Sequence, residues 1–310
     1  MKKLTFLLII LTFFGCTKSP TSPDNAVGVT WTSRNSGTTG GLSSVVWTGS
    51  QLVAVGRSFD SINGWDIGAV LTSSNGIVWT PRYSGTRQAL NSVTWSGNQL
   101  VAVGTNGTII TSADGITWSP QSAGSTSNSL NAVIWAGNQF VAVGDGVDSI
   151  SGGFYGAILT SPDGIFWTQQ SSGTKYTLYS VTWTGNQIVT VGSLGTVLTS
   201  VNGNLWATRS VGTINNFLLS VIWTGAQLVT VGSGVDSNSG GYYGAVFTSA
   251  DGNVWKQQSS GTLNDLISVT WTGSPATGGP GQLVAVGALG IVLTSPNGIT
   301  WTPRISGITN

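Results

Sequence analysis

Few residues of this chain could carry out acid–base, nucleophilic or metal chemistry. Its ten acidic residues are all Asp, and it contains one Cys and no His. Without His, neither a Ser-His-Asp triad nor a typical zinc site can be built. A pair of Asp carboxylates could still serve a glycosidase, but Asp114, Asp163 and Asp251 recur at one position of a repeat, which favours a structural role. We therefore predict a protein without catalytic residues, bound metal or cofactor.

The first fifteen residues are typical of an export signal. Two lysines precede an apolar run that ends at Phe14 and is too short to span a membrane well. Residues 13–16 (FFGC) resemble the lipobox of bacterial lipoproteins, in which the cysteine is lipidated and becomes the new N-terminus. That resemblance implies a lipid anchor at Cys16, and Thr17 after it favours the outer membrane of a Gram-negative envelope. The alternative is an ordinary cleaved signal followed by an incidental cysteine.

Charge is sparse in the rest of the chain. Only 7% of the residues are charged and the net charge is +1. Because no cluster of Lys and Arg is available to neutralise phosphates, we do not expect nucleic-acid binding. Residues 16–30, rich in Pro, Ser and Thr, are predicted to form a flexible tether, and residues 31–310 a single large domain. The expected partners are the membrane, through the lipid anchor, and a glycan, a peptide or an envelope protein.

The domain contains six copies of one sequence block. Each block has an apolar strand ending in Trp, a tight turn, a segment resembling QLVAVG, a strand ending in Thr-Ser, and a turn of the form (D/N)-G-x-x-W. The first Trp of the six blocks is Trp47, Trp95, Trp135, Trp183, Trp223 and Trp271. Blocks one, three and five carry nine additional residues, so the sequence indicates duplication of block pairs.

Four strand-sized segments, separated by Gly- and Asn-rich turns, make up each block. In the second block they are residues 90–95, 99–103, 108–111 and 117–121. The second segment is apolar on both faces, so both faces of each sheet must be covered. We therefore predict an all-β fold, a six-bladed β-propeller of four-stranded antiparallel blades, with seven blades as the alternative. A β-solenoid would also explain the period, but hairpin-sized turns disfavour its parallel strands.

Two segments compete for the fourth strand of the last blade. Residues 31–38 (WTSRNSGT) copy a fourth strand without three strands before them. Residues 301–307 are the sixth block's own copy. One of the two is expected to pair in the last blade, and the sequence leaves open which.

The turn before the second Trp of each block is the most recognisable motif. Residues 112–118 (SADGITW), 161–167 (SPDGIFW) and 249–255 (SADGNVW) resemble the Asp-box, or BNR repeat, of sialidases, some other glycosidases and photosystem II assembly factor-like proteins. We expect each box side chain to accept backbone N–H groups across the turn, while Gly adopts a left-handed conformation and Trp packs against the blade. The six box positions are Asn75, Asp114, Asp163, Asn202, Asp251 and Asn297.

The resemblance implies a propeller but not an activity. A sialidase needs three arginines around the substrate carboxylate, a Tyr activated by a Glu, and an Asp as acid/base. This chain has no Glu, and four of its six arginines share one repeat position: Arg34, Arg82, Arg209 and Arg304. We therefore expect a non-catalytic cell-envelope lipoprotein that binds a partner. A degenerate sialidase-like or other glycoside hydrolase is the alternative.

The additional residues of blocks one, three and five are candidates for the binding surface. They fall between the second and third strands, within residues 57–67, 145–155 and 233–243. The aromatic candidates in these insertions are Trp65, Phe154, Tyr155, Tyr242 and Tyr243. Arg87, Lys175 and Tyr176 lie in connections at the same end of the blades, and we add them because they break the repeat pattern.

Two interpretations of these insertions remain open. In one, Asp60, Asp148 and Asp236 cap internal turns while the aromatic side chains pack the insertions onto the blades. In the other, the aromatic and neutral polar groups form a ligand face, with Trp65, Tyr155 and Tyr243 in contact with the partner. Calcium is a poor candidate, because the three insertions share only one Asp position, and one carboxylate is too few oxygen ligands for a calcium site.

Overall fold

The computed structural model of the protein describes residues 34–60, 64–122, 128–148, 150–212, 215–236, 239–273 and 281–306. The predicted signal peptide, Cys16, the tether and residues 31–33 lie outside the described residues, as do the tip residues 61–63 of the first insertion. No helix in the described part of the chain is long and apolar enough to cross a bilayer.

The described residues form 24 strands in six antiparallel sheets of four, and in every sheet the strands lie side by side in chain order. This confirms the prediction of an all-β, six-bladed β-propeller. We number the sheets as blades 1 to 6 along the chain. The first strands of the blades are β1 (Leu42–Trp47), β5 (Leu90–Trp95), β9 (Ser129–Trp135), β13 (Leu178–Trp183), β17 (Asn216–Trp223) and β21 (Leu266–Trp271). The second strands are β2 (Leu52–Asp60), β6 (Leu100–Gly104), β10 (Phe140–Val147), β14 (Ile188–Gly192), β18 (Leu228–Val235) and β22 (Leu283–Gly287).

The third and fourth strands complete each sheet. The third strands are β3 (Trp65–Ser73), β7 (Ile109–Ser112), β11 (Phe154–Ser161), β15 (Thr196–Ser200), β19 (Tyr242–Ser249) and β23 (Val292–Ser295). The fourth are β4 (Thr80–Tyr83), β8 (Ser119–Gln121), β12 (Thr168–Gln170), β16 (Ala207–Ser210), β20 (Lys256–Ser259) and β24 (Thr302–Arg304).

The second strands bury both of their faces, as their continuous apolar sequence predicts. In β6, Leu100 and Ala102 pack into a cluster with blade 1, whereas Val101 and Val103 pack into a cluster with blade 3. Successive side chains of a strand point to opposite faces, so alternate residues of one apolar strand reach two neighbouring blades. Burying each such Val or Leu contributes about 1.5 to 3 kcal/mol.

The chain divides into two compact units. The first contains blades 1 to 3 and includes Arg34–Ile188 and Ser200–Trp206; the second includes Val189–Thr199 and the described residues from 207 onward, with blades 5 and 6. In the first unit, apolar clusters join blade 1 to blade 2 and blade 2 to blade 3. In the second unit, similar clusters join β14 and β15 to blade 5, and blade 5 to blade 6.

The C-terminal copy of the fourth strand pairs in the last blade. β24 forms an antiparallel ladder with β23, in which Thr302 is opposite Thr294. The described part of the other copy begins at Arg34 and contains a turn in which Asn35 Oδ1 accepts the N–H of Gly37 at 2.9 Å. The question left open by the sequence is thereby answered for blade 6.

Blades 2, 4 and 6 connect their second and third strands through single 3₁₀ turns, at Thr105–Gly107, Ser193–Gly195 and Ala288–Gly290. The central residues of these turns, Asn106, Leu194 and Leu289, have φ angles of 53°, 54° and 57°. A left-handed backbone costs about 1 to 2 kcal/mol for a residue with a Cβ. Leucine at two of these positions could not be anticipated from turn propensities, which favour Gly or Asn.

Candidate functional site

The insertions of blades 1, 3 and 5 lengthen a hairpin rather than form irregular loops. In blade 3, the ladder between β10 and β11 continues without interruption to Val147 opposite Phe154. In blade 5, the ladder between β18 and β19 continues to Val235 opposite Tyr242. In blade 1 it continues to Asp60 opposite Trp65. The predicted aromatic residues therefore lie on strands, whose backbone hydrogen bonds fix their positions. We call this end of a blade its hairpin end.

The aspartates at the tips of the hairpins cap internal turns. Asp148 Oδ1 accepts the backbone N–H groups of Ile150 and Ser151, at 3.0 and 2.7 Å. Asp236 Oδ1 accepts the N–H of Ser239 at 2.8 Å. The bond from Ser151 N–H is the main reason that the pKa of Asp148 lies below its usual value. These contacts favour the capping interpretation for Asp148 and Asp236, whereas the side chain of Asp60 lies outside the described part of the structure.

Tyr155 and Tyr243 are held against their own blades. Each ring lies across the second strand, and its hydroxyl donates a hydrogen bond to an asparagine at the start of the first strand. Tyr155 bonds to Asn128 Oδ1 at 2.6 Å, and Tyr243 bonds to Asn216 Oδ1 at 2.7 Å. Both asparagines are fully buried. Burial of a polar group without a partner is costly, so each tyrosine and asparagine form one structural unit.

Blade 1 replaces every member of that unit together. Tyr155 lies opposite Gly146 in the ladder, and a Cβ on Gly146 would come within 2.6 Å of the tyrosine ring. The corresponding pair in blade 1 is Ile67 opposite Ser58, and Ser58 Oγ accepts a bond from Thr38 at 2.9 Å. Glycine is therefore present where a tyrosine ring must lie over the strand and absent where it does not. Sequence analysis missed Asn128 and Asn216, although their equal distance from Trp135 and Trp223, the first Trp of each block, was a usable signal.

The remaining aromatic candidates project from the blades. Phe154 is 71% exposed and Tyr242 68% exposed, next in sequence to the anchored tyrosines. Trp65 is 38% exposed, and the guanidinium carbon of Arg87 lies 3.9 Å from the centroid of its ring. This is a close cation–π contact. The sequence placed the two residues at the same end of the blades, and the structure shows that they are in contact.

The other predicted cation, Lys175, is less closely held. Its Nζ lies 5.7 Å from the centroid of the Tyr176 ring. In blade 1, Arg57 forms an exposed ion pair with Asp66 at 3.7 Å. Exposed pairs of this kind contribute little to stability, so Arg57 remains available to a partner.

A groove of about 700 Å³ runs along the outer side of blade 5 at its hairpin end. It is lined by the end of β19, including Tyr242, by Gln257–Ser259 of β20, and by Leu263 in the connection that follows. Asp236 also lines the groove, at the hairpin tip. The sequence predicted Tyr242 and Tyr243 here but not the contribution of β20 or Leu263.

The six box turns lie at the opposite end of the blades, which we call the box end. In blade 2, Asp114 Oδ1 accepts the N–H groups of Ile116 and Thr117, both at 2.8 Å, and Trp118 Nε1 donates to the carbonyl of Gly115 at 3.0 Å. Asn297 accepts the equivalent N–H groups at 2.9 and 3.0 Å, so Asp and Asn act alike. The box carboxylates are thus occupied by backbone donors.

These bonds also determine the ionisation of the box aspartates. The N–H of Thr117 and then that of Ile116 hold the pKa of Asp114 below its usual value. Asp163 is affected in the same way by Phe166 and Ile165. The backbone N–H of Asn253, followed by its side-chain amide, lowers the pKa of Asp251 to about 2. None of the three is suited to act as a general acid near neutral pH.

Two of the four arginines that share a repeat position bond to the third strand of their own blade. Nε of Arg82 donates to Thr72 Oγ1, and Nε of Arg304 donates to Thr294 Oγ1, both at 2.9 Å. Gln121 and Gln258 make the same bond from the same position to Thr111 and Thr248. At this position these four side chains join the fourth strand to the third, whereas Nε of Arg209 in blade 4 is buried and has no hydrogen-bond partner among the described residues.

Comparison with known proteins gives a fold but not a family. No family model matches the chain, and no curated protein matches it. Among solved structures, YCF48 bound to D1 peptide matches with a TM-score of 0.61 and 18% identity, covering 86% of this chain and 81% of that chain. YCF48 from Cyanidioschyzon merolae matches with a TM-score of 0.57 and 16% identity, covering 85% and 84%. Both are β-propellers. This protein shares their fold, and at these identities the likeness shows the fold alone.

Proposed function

We propose that this protein is a non-catalytic, lipid-anchored envelope propeller that binds a peptide or protein partner at the hairpin ends of blades 1, 3 and 5. The observation that carries the proposal is the division among the aromatic residues. Tyr155 and Tyr243 are used internally, whereas their neighbours Phe154 and Tyr242 project from the same rigid ladders. Exposed aromatic groups on a rigid scaffold are typical of binding surfaces, because little conformational entropy is lost when they are covered.

The choice of a polypeptide partner has two supports. A solved structure of the similar propeller YCF48 contains a bound D1 peptide. The hairpin ends also combine exposed aromatic rings with hydrogen-bonding groups and charges of both signs, which suits an extended polypeptide. A glycan would use similar groups and is the alternative ligand class in the test.

The absence of catalysis is supported by composition and by the box turns. The sequence has neither His nor Glu, and the described residues contain no group of three potential metal ligands. The three box aspartates accept backbone N–H groups, so no pair of free carboxylates is found among them. Turnover of a chromogenic glycoside by the purified domain would overturn this part of the proposal.

The lipid anchor rests on the apolar run that precedes the single cysteine. Replacement of Cys16 by Ser should release the protein from the membrane fraction and abolish its labelling by a fatty-acid analogue. Membrane association that survives this substitution would contradict the anchor.

Two phenylalanines of blade 3 provide a matched test of the binding surface. Phe154 is 71% exposed at the hairpin end, and Phe166 is 75% exposed at the box end. We would screen the purified domain on arrays of tiled envelope-protein peptides and of glycans, and then measure the affinity of each variant for the peptides bound. Phe154→Ala should weaken binding by at least about tenfold, which corresponds to 1.4 kcal/mol, whereas Phe166→Ala should bind like the parent. Equal affinities of the two variants, or binding to glycans alone, would contradict the proposal.

A further inference from the structure

The outer edges of the six blades differ in a way that neither the repeat nor the hairpins explain. The second residue of the fourth strand is proline in blades 1, 2 and 6, namely Pro81, Pro120 and Pro303. In blades 3, 4 and 5 the same ladder position is occupied by Gln169, Thr208 and Gln257. Proline lacks an N–H and is confined to edge positions whose N–H would point away from the sheet. The backbone of Gln257 at this register therefore points to the free edge of blade 5.

The edge of β20 is open to pairing. Residues of an antiparallel strand alternate between facing the neighbouring strand and facing away from it, so Gln257 and Ser259 both present N–H and C=O groups outward. No backbone hydrogen bond to either residue's outward groups is found within the described residues. Natural sheets commonly block such edges with proline, as blades 1, 2 and 6 do. Blade 5 leaves its edge open beside the groove that contains Tyr242 and Leu263.

We infer that the open edge of β20 and the adjoining groove take up an extended polypeptide segment of a partner protein as an added antiparallel strand. The backbone of the segment bonds to Gln257 and Ser259, and an apolar side chain lies between Tyr242 and Leu263, which are 68% and 76% exposed. This mode of recognition uses main-chain bonds for affinity and side-chain pockets for selectivity. It rests on the proposed function only in that the ligand is a polypeptide.

The charges at the two ends of the edge define the chemistry of the segment. Lys256 begins β20 opposite Thr248, whereas Asp236 lies at the hairpin tip beside Gly241. The ladder positions from Thr248 to Gly241 span roughly 23 Å at 3.3 Å per residue, a length that seven to eight extended residues cover. The groove between has no charged lining residue besides Asp236. An added antiparallel strand begins near Asp236 and ends near Lys256. The segment therefore carries a cation near its N-terminal end, opposite Asp236, and an anion near its C-terminal end, opposite Lys256. The residues between them are uncharged.

The test uses a fluorescent heptapeptide, Lys-Thr-Val-Thr-Val-Thr-Glu, and measures its binding to the full chain by anisotropy. We expect a dissociation constant of about 0.1 to 1 mM, as is typical of a short edge contact. Gln257→Pro should weaken binding at least tenfold, and it should fold, since proline occupies the same register in blades 1, 2 and 6. Thr208→Pro makes the same change in blade 4 and should bind the peptide like the parent. The reversed peptide, Glu-Thr-Val-Thr-Val-Thr-Lys, should bind several-fold more weakly, and Lys256→Glu should remove that preference.

Three outcomes would overturn the inference: no binding of either peptide at 2 mM, equal affinities of Gln257→Pro and the parent, or equal losses in Gln257→Pro and Thr208→Pro. Circular dichroism and the urea midpoint of both proline variants confirm that folding is intact. The Phe154→Ala test of the proposed function is separate. If Phe154→Ala loses the array-selected peptides while Gln257→Pro retains them, the proposed function stands and the edge inference fails. The opposite pattern supports the edge and contradicts the broader hairpin surface.

Discussion

The two ends of each blade are built from similar turn residues but differ in how their polar groups are used. At the box end, the same turn is formed six times, and its carboxylate or amide oxygen is occupied by backbone N–H groups. At the hairpin end, three blades close with a short 3₁₀ turn and three extend into ladders with projecting side chains. A turn that is formed in the same way in all six blades indicates a role in stability. Side chains that differ between blades but project from rigid ladders indicate a role in recognition. Substitutions at the box end should therefore affect folding, and those at the hairpin end should divide into anchors and contacts.

The largest expected effect is at a box glycine. Gly164 has a φ of +73°, and a Cβ there would lie 2.9 Å from Val101 Cγ2. Gly164→Ala combines left-handed strain with overpacking and should cost about 2 to 4 kcal/mol in the free energy of unfolding. Gly173→Ala is the matched control, because its φ is +67° with nothing within 4 Å of the added Cβ. It should cost only about 1 to 2 kcal/mol. Urea denaturation measures both, and equal losses would show that the box turn is not tightly packed.

The anchored tyrosine should show a smaller effect at the hairpin end. Tyr243→Phe removes the bond to the buried Asn216 and should cost about 1 to 2 kcal/mol. Tyr242→Phe, on the adjacent exposed residue, should change stability by less than about 0.5 kcal/mol. Thermal unfolding of the two variants in parallel tests the division between anchors and contacts. If neither substitution changed the stability, Tyr243 would be counted with the candidate contact residues rather than with the anchors.

The smallest effect concerns acid stability. The folded-state pKa values of Asp114, Asp163 and Asp251 are lowered, so their contribution is present above the unfolded pKa of about 3.9 and is lost as the pH falls through the folded values, about 2 for Asp251. Changing all three to Asn, as in the other three boxes, should remove this loss. The charge of each box carboxylate contributes only a fraction of about 1 kcal/mol to the free energy of unfolding, because solvent screens it.

The measurement for this variant is the unfolding midpoint at pH 5 and pH 2.5. The parent should lose more stability between these values than the triple Asn variant. Asp145 acts in the opposite direction, because burial raises its pKa, but it is present in both proteins and cancels. Parallel losses in the two proteins would show that the box carboxylates do not contribute through their charge.

The sequence predicted the architecture well because its main determinants are local. The apolar second strands and the Gly-containing turns specify hairpins, and the observed bounds in blade 2 differ from the expected ones by at most two residues. The candidate site was harder to predict. Sequence spacing could not show which of Tyr242 and Tyr243 faces outward, because that depends on ladder register. Nor could it show that Arg87 would stack on Trp65, since the two residues come from different connections.

The chain-order pairing of strands in every sheet has a consequence for how the protein forms. Each blade is complete within one sequence block, so most of its pairing requires only short loops to close. Proteins dominated by such local contacts fold faster than β-proteins whose strands come from distant parts of the chain. Blades can therefore assemble in succession as the polypeptide is synthesised. Brief exposure of unpaired apolar strands limits the time available for aggregation.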